Sequence, residues 1–154
     1  MPGWVSVGSL ALCTAGLAVS GYLTLVHYTT HVQLACSATG TIDCQKVTTS
    51  PQSMVGGIPV ALLGVIFFAL GVLLCLPRAW GSRSRGVRVV RIGWVVGGAA
   101  MVVRLVYAEL FQIDAVCLWC SAVHVITVAL FATVLVGEAV AAEDAGRGLS
   151  PARR

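Results

Sequence analysis

The sequence predicts an all-α integral membrane protein, a four-transmembrane-helix bundle with a long extracytoplasmic loop between its first and second helices. Three observations lead there. Of 154 residues, 58% are hydrophobic and 10% charged, and mean hydropathy is +0.92; a soluble domain holds about 45–50% apolar and about 25% charged residues. Four stretches with few or no charges are each long enough for the ~30 Å hydrocarbon core of a bilayer. Basic residues gather in segments that successive crossings would leave on one side. A water-soluble core of this size could not cover so much apolar surface, and so few charges exclude disorder. Residues 1–140 are therefore expected to be one membrane domain, with no room for a separate soluble one.

The first span, Val5–Val26, has no charged side chain. It lacks a basic n-region and is too long for the apolar core of a signal peptide. An outward loop, 27–57, follows. Ile58–Leu76 is also uncharged, with Pro59 in its first turn, where a missing N–H costs nothing. Residues 77–91 form an arginine-rich loop. Ile92–Leu110 is apolar except for Arg104 and Glu109, and its Gly93 and Gly97 form a small-xxx-small pair suited to close helix packing. Val116–Val136 has one ionisable side chain apart from its cysteines, His124. Residues 141–154 read as a disordered tail. No internal repeat is present.

Arg78, Arg83, Arg85, Arg88 and Arg91 lie between spans two and three, and Arg147, Arg153 and Arg154 lie in the tail. Loop 27–57 has only Lys46, and the link 111–115 has no basic residue. The positive-inside rule then puts both termini and 77–91 in the cytoplasm. Loop 27–57 faces outward.

Six cysteines divide by depth. Cys36 and Cys44 fall in the outward loop, and Cys117 and Cys120 open the fourth span as Cys117-Leu118-Trp119-Cys120. All four are on the oxidising side, where disulfides persist. Cys13 and Cys75 read as small buried hydrophobes. In a helix, Cys117 and Cys120 share a face with Cα atoms about 5 Å apart, within disulfide range. With His124 and Thr127 they form a polar stripe, which on a membrane helix points into the bundle.

The loop pair is set among Ser37, Thr39, Gly40 and Thr41, residues that favour turns, so this segment can swing. Thr41 is a candidate N-cap for a short helix through Thr48, stopped by Ser50-Pro51. Cys44 would then lie in a first turn, where the helix dipole favours a thiolate. Lys46 favours that thiolate and Asp43 opposes it.

A mobile thiol pair facing a fixed one suggests a relay by thiolate attack through mixed disulfides. The fixed pair needs a lipid-soluble two-electron acceptor, for which an isoprenoid quinone is the natural chemical class. Other readings use the same cysteines: structural staples holding the loop to the bundle, or a tetrahedral zinc cage. Zinc would freeze the loop, and a structural cage gives no reason for the polar stripe below Cys120. A thiol-based heavy-metal carrier and a non-catalytic, disulfide-stapled membrane module are the remaining alternatives. No metal site is expected.

These residues resemble the vitamin K epoxide reductase family in its bacterial form. The likeness rests on Cys36 and Cys44, then Ser50, then Gly57-Ile58-Pro59 entering the second span, then Cys117 to Cys120 followed by His124. It runs from about Val5 to Val136. The other bacterial quinone-linked thiol oxidase family has the two pairs in reverse order. The resemblance implies a thiol oxidase of the bacterial cytoplasmic membrane. It would take electrons from an extracytoplasmic thioredoxin-fold oxidase and pass them to a membrane quinone, menaquinone or ubiquinone. By that likeness Cys36 and Cys44 are the shuttle pair, Cys117 exchanges with the loop through Cys44, and Cys120 meets the quinone ring. Ser50 supplies a hydroxyl near the ring, and His124 stands where animal members have a tyrosine. Many bacterial members carry a fused thioredoxin-like domain; none follows the fourth span here, so the partner is expected in trans. The asparagine of the animal enzymes has its nearest counterparts in Gln52 or Ser53, and reduction of vitamin K epoxide itself is not implied.

Arg104 and His124 are about 9 and about 12 Å below the outer ends of their spans. Arg104 is therefore a candidate to stabilise a thiolate or a developing quinol oxyanion; the plainer alternative is snorkelling to the interface. Glu109 is turned about 140° from it along the helix. His27, Tyr28 and His31 read as an interfacial belt, and Tyr107 as packing or a pocket wall.

Overall fold

A computed structural model describes residues 3–29, 34–36, 39–82 and 84–148. Its helices are α1 (Gly3–Tyr28), α2 (Cys44–Thr48), α3 (Val60–Leu74), α4 (Pro77–Gly81), α5 (Arg85–Ala108) and α6 (Leu118–Gly148). A 3₁₀ turn occupies Pro51–Ser53, and a π-turn, Glu109–Ile113, prolongs α5. Strands β1 (Met54–Val55) and β2 (Ile58–Pro59) make a small antiparallel hairpin. The molecule is a helical membrane bundle.

Three helical stretches, Gly3–Tyr28, Arg85–Ile113 and Leu118–Glu143, are long and apolar enough to cross a membrane, and Val60–Leu74 is a shorter apolar helix of 15 residues. At 1.5 Å per residue α3 covers about 22 Å, less than the expected span 58–76. The cause is at its ends. Gly56 and Gly57 have φ of +59° and +83°, as a two-residue hairpin turn of the I′ class requires. Ile58 and Pro59 are therefore drawn into β2, and Pro59 caps the helix instead of lying in its first turn. At the other end Pro77 forces Leu76 to an extended ψ of 145° and starts α4.

The arginine-rich segment 77–91 is not an open loop. Trp80 of α4 folds back into the bundle, where it is 8% exposed and its Nε1–H donates to Ser9 Oγ at 3.4 Å. Arg91 of α5 lies over the Trp80 ring at 3.7 Å and pairs with Glu138 at 3.0 Å. Those contacts wind 85–91 into α5 and also carry α6 past Val136. Residues 141–148, expected to be disordered, remain helical, since Ala141 and Ala142 are strong helix formers extending an established helix. Residues 149–154 of that tail lie outside the described residues.

Helix α1 packs on α3 and α6, α6 packs on α5, and α3 meets α5 only sparsely. The buried face of α1 is Val5, Ser9, Cys13, Gly16, Ser20 and Leu23, mostly small residues that let helices approach. At Gly16 an added Cβ would collide with the Phe68 ring. One apolar cluster, containing Val5, Cys13, Phe68, Cys75, Val95, Leu130 and Val134, fills the end of the bundle away from the cysteine loop. Large apolar side chains on the outer faces, among them Val7, Ile66, Val103 and Val125, are more than half exposed. Lipid rather than water is the solvent that accommodates such faces.

The gap between α3 and α5 is bridged by Trp94. Its ring stacks on Phe67 at 4.5 Å, and its Nε1–H donates to the Phe67 carbonyl at 3.2 Å. Gly93 and Gly97 do not make the expected close helix contact: a Cβ at either would meet nothing within 4 Å. With α3 held off by the Trp94–Phe67 stack, the two glycines face open space instead.

Candidate functional site

The loop's descent begins at Gly40, whose φ of +60° turns Thr39 back on Ile42. Ile42 then lies parallel to Val116: the Asp43 N–H donates to Val116 O at 3.1 Å and the Val116 N–H to Thr41 O at 2.9 Å. This extended pairing takes Thr41 out of the capping role expected for it. Asp43 caps α2 instead, its carboxylate accepting from the Lys46 N–H at 2.9 Å. Cys44 is the first residue of α2, where the dipole favours a thiolate.

Cys36 and Cys44 are joined in a disulfide with Cα atoms 6.1 Å apart. Cys44 is 2% exposed, whereas Cys36 is only partly buried. The Cys44 arm is tied to Val116 by the backbone pairing above. Residues Ser37 and Ala38 lie outside the described residues.

Cys117 is at the N-cap of α6, its sulfur accepting from the Cys120 N–H at 3.3 Å and its carbonyl from the Ser121 N–H at 2.8 Å. It precedes the helix instead of lying within it, since Ala115 and Val116 are engaged by Glu109 and the loop. Both Cys117 and Cys120 are free thiols. Cys117 is fully buried in one apolar cluster with Cys44, Val47, Ile113 and Ala115, against which Cys36, Trp119 and Cys120 pack. The four cysteines expected to work together are thus gathered around one small core.

Below Cys120 a cavity of about 800 Å³ opens within the bundle. Cys120, His124 and Thr127 line its α6 wall, Gly93, Gly97 and Met101 its α5 wall, and Gly64 and Phe67 its α3 wall. Its roof is polar: Gln45, Thr48, Ser50, Gln52 and Ser53. His124 is 8% exposed, and the Thr127 hydroxyl donates to the Val123 carbonyl at 2.8 Å. Ser50 lines the cavity and donates to Val47 O at 2.7 Å, leaving its lone pairs free to accept. Such a volume, mostly apolar with a few converging polar groups, suits a small ring compound with an apolar tail.

Arg104 is not brought to this site. It is exposed and does not line the cavity, flanked by the exposed Val103 and Tyr107. The α5 wall is built by its neighbours Met101, Leu105 and Ala108, and Arg104, about 60° round the helix from Met101, falls at the edge of that arc. Tyr107 likewise stacks outward on Phe111 at 5.1 Å. His27 touches the cavity rim while remaining exposed, and His31 lies outside the described residues.

Three further residues, not evident from the sequence as parts of the site, belong to the cavity or the loop beside it. Glu109 lines the cavity at 6% exposure; an acid at the end of an apolar span was its signal. Ser20 lines the cavity with a buried hydroxyl. Tyr22 joins Trp119 in holding the loop, and an interfacial tyrosine carries no sequence signal of that role.

The family model of the vitamin K epoxide reductase family matches residues 8–135. No curated protein matches the chain. With the matched segment covering both cysteine pairs, the cavity-lining residues and most of the chain, the chain belongs to the vitamin K epoxide reductase family.

Proposed function

We propose that the protein is a membrane thiol:quinone oxidoreductase that reoxidises an extracytoplasmic thioredoxin-fold oxidase acting in trans. Electrons pass through Cys36/Cys44 and then Cys117/Cys120 to menaquinone or ubiquinone in a bacterial cytoplasmic membrane. Both termini are cytoplasmic and the cysteines face outward, as the arginine asymmetry supports. One observation carries the reading: a closed loop disulfide whose inner sulfur, Cys44, shares a buried cluster with Cys117, while Cys120 opens on the cavity.

The unequal burial of the loop sulfurs orders the steps. A soluble thiolate reaches the partly exposed Cys36, and Cys44 leaves as a thiolate stabilised by the first turn of α2. The partner's second thiol attacks its own sulfur in the mixed disulfide and leaves with its disulfide closed, freeing the Cys36 thiolate, and Cys44 attacks Cys117 of the Cys117–Cys120 disulfide, freeing Cys120 at the cavity. Attack of Cys36 on Cys44 then closes the loop disulfide and leaves both electrons on the α6 pair as the Cys117 and Cys120 thiols.

The cavity fits a quinone by size and lining, and when bound a quinone supplies a two-electron, two-proton acceptor. His124 would hold a ring oxygen through its N–H, and Ser50 and Gln52 would meet the opposite edge from the roof. Gly93 and Gly97 keep the α5 wall recessed. The sparse meeting of α3 and α5 supplies a way in from lipid.

Cys120→Ala abolishes quinone reduction by the purified protein, and Cys13→Ala, in the distant core, retains it. Absorbance of the protein with added quinone shows a thiolate–quinone charge-transfer band that is lost in Cys120→Ala. Retained turnover in Cys120→Ala refutes the assignment.

A further inference from the structure

The two arms of the cysteine loop are held by different kinds of contact. The Cys44 arm is fixed by backbone, through Thr41, Asp43 and Val116. On the Cys36 arm, both hydrogen-bonding groups of one residue, Ala35, are taken by side chains. The Ala35 N–H donates to Tyr22 Oη at 3.2 Å, and the Ala35 carbonyl accepts from Trp119 Nε1 at 3.1 Å. The Tyr22 and Trp119 rings themselves touch, centroids 4.9 Å apart at 55°. Trp119 comes from between the two cysteines of α6, and Tyr22 from α1, so the residue next to Cys36 is tied to both helices.

Resting on the relay above, we propose that Tyr22 and Trp119 form a latch on Ala35 that holds Cys36 in place as the thiol that resolves the Cys44–Cys117 intermediate. The first exchange forms the Cys44–Cys117 bond and breaks Cys117–Cys120, with Cys120 leaving as a thiolate. In the second, the Cys36 thiolate attacks the Cys44 sulfur. The Cys36–Cys44 bond forms, Cys44–Cys117 breaks, and the electron pair stays on Cys117. No outside oxidant is consumed, because one disulfide replaces another.

The second exchange depends on the local concentration of Cys36 at Cys44. Cys44 needs no help, since its backbone is pinned. Cys36 is a partly exposed residue on a turn-forming segment, and two side-chain hydrogen bonds on its neighbour keep it from leaving. Both bonds come from uncharged groups, so they hold Cys36 in place yet release it for a soluble partner. Tyr22 and Trp119 are positioning residues in this scheme; neither touches a reacting sulfur through a hydrogen bond.

The test uses the full-length protein in micelles with Cys120→Ser. There Cys117 has no neighbour to pair with and attacks the loop disulfide, setting up a balance between Cys36–Cys44 and Cys44–Cys117 with a free Cys36. Acid quenching, maleimide labelling of Cys36 and peptide mass spectrometry give the ratio. Tyr22→Phe and Trp119→Phe keep the ring contact and remove one hydrogen bond each. Each raises the Cys44–Cys117 fraction relative to the closed loop about fivefold, as expected for one net hydrogen bond, and the pair together raises it further. In the background retaining Cys120, the KM for quinone stays unchanged, which a general loosening of the bundle would not allow. If the parent forms Cys44–Cys117 and neither variant raises it, the latch is overturned and the relay stands. If neither the parent nor any variant forms that bond, the relay falls and the latch with it.

Discussion

The buried ion pair at the end of the bundle away from the cysteine loop allows a prediction whose sign changes between single and double substitution. Arg91 and Glu138 have side chains only 3% and 8% exposed and meet at 3.0 Å, Nε to Oε1. Arg91 also covers the Trp80 ring at 3.7 Å and donates from Nη2 to the Ala79 carbonyl at 3.3 Å. Arg88, at 3.3 Å from the other carboxylate oxygen, is 51% exposed and contributes at most about 1 kcal/mol. Glu138→Leu leaves the Arg91 charge buried without its counter-ion, which costs about 3–5 kcal/mol. Arg91→Met strands Glu138 in the same way, relieved in part by Arg88. The double variant removes both charges from a site walled by Trp80 and the helices, and replacing a buried pair with apolar residues is neutral or stabilising by about 1–4 kcal/mol. The double variant is therefore more stable than either single one. The assay is unfolding of the full-length protein in mixed micelles with increasing denaturing detergent, followed by tryptophan emission, with a double-mutant cycle for the coupling. Single losses below about 1 kcal/mol that simply add in the double variant would refute the reasoning.

Further outcomes follow from the cavity and its walls. Gly16→Ala drives a Cβ into the fully buried Phe68 ring, which must shift to make room; it lowers stability by about 1–3 kcal/mol in the same assay. Gly93→Ala meets nothing within 4 Å and leaves stability unchanged or improved by up to about 1 kcal/mol from helix propensity. Because Gly93 lines the cavity, Gly93→Ala also raises the KM for quinone, and an unchanged KM would remove this wall from the site. Arg104→Gln leaves quinone turnover at its original rate, since the side chain is exposed outside the cavity; a large loss of turnover would return Arg104 to the site.

Much of the site was legible because its chemistry is carried by rare residues in an apolar background. Cysteine, histidine and threonine at positions 117, 120, 124 and 127 stand out against valine and alanine, and in a membrane helix polar atoms turn away from lipid. Arg104 shows the limit of that rule. A long, flexible side chain can lie along the outside of a helix and bring its charge to the interface, so polarity alone did not give its direction. Gly93 and Gly97 misled for a related reason: a small residue permits close approach but does not supply a neighbour. The stack of Trp94 on Phe67 keeps α3 at a distance, and the glycines line a cavity instead.

From the sequence alone came the solvent of the fold, its helical-bundle class and the two cysteine pairs, because hydropathy and rare-residue spacing are local properties of the chain. The tertiary structure decided where the helices end, which loop sulfur is buried, and which walls enclose the cavity. Those depend on contacts between residues far apart in sequence: Arg91 with Glu138, Ile42 with Val116, and Ala35 with Tyr22 and Trp119. A pattern read along one helix carries no record of which partner it will meet, and so it cannot say whether a side chain ends against protein, lipid or open space.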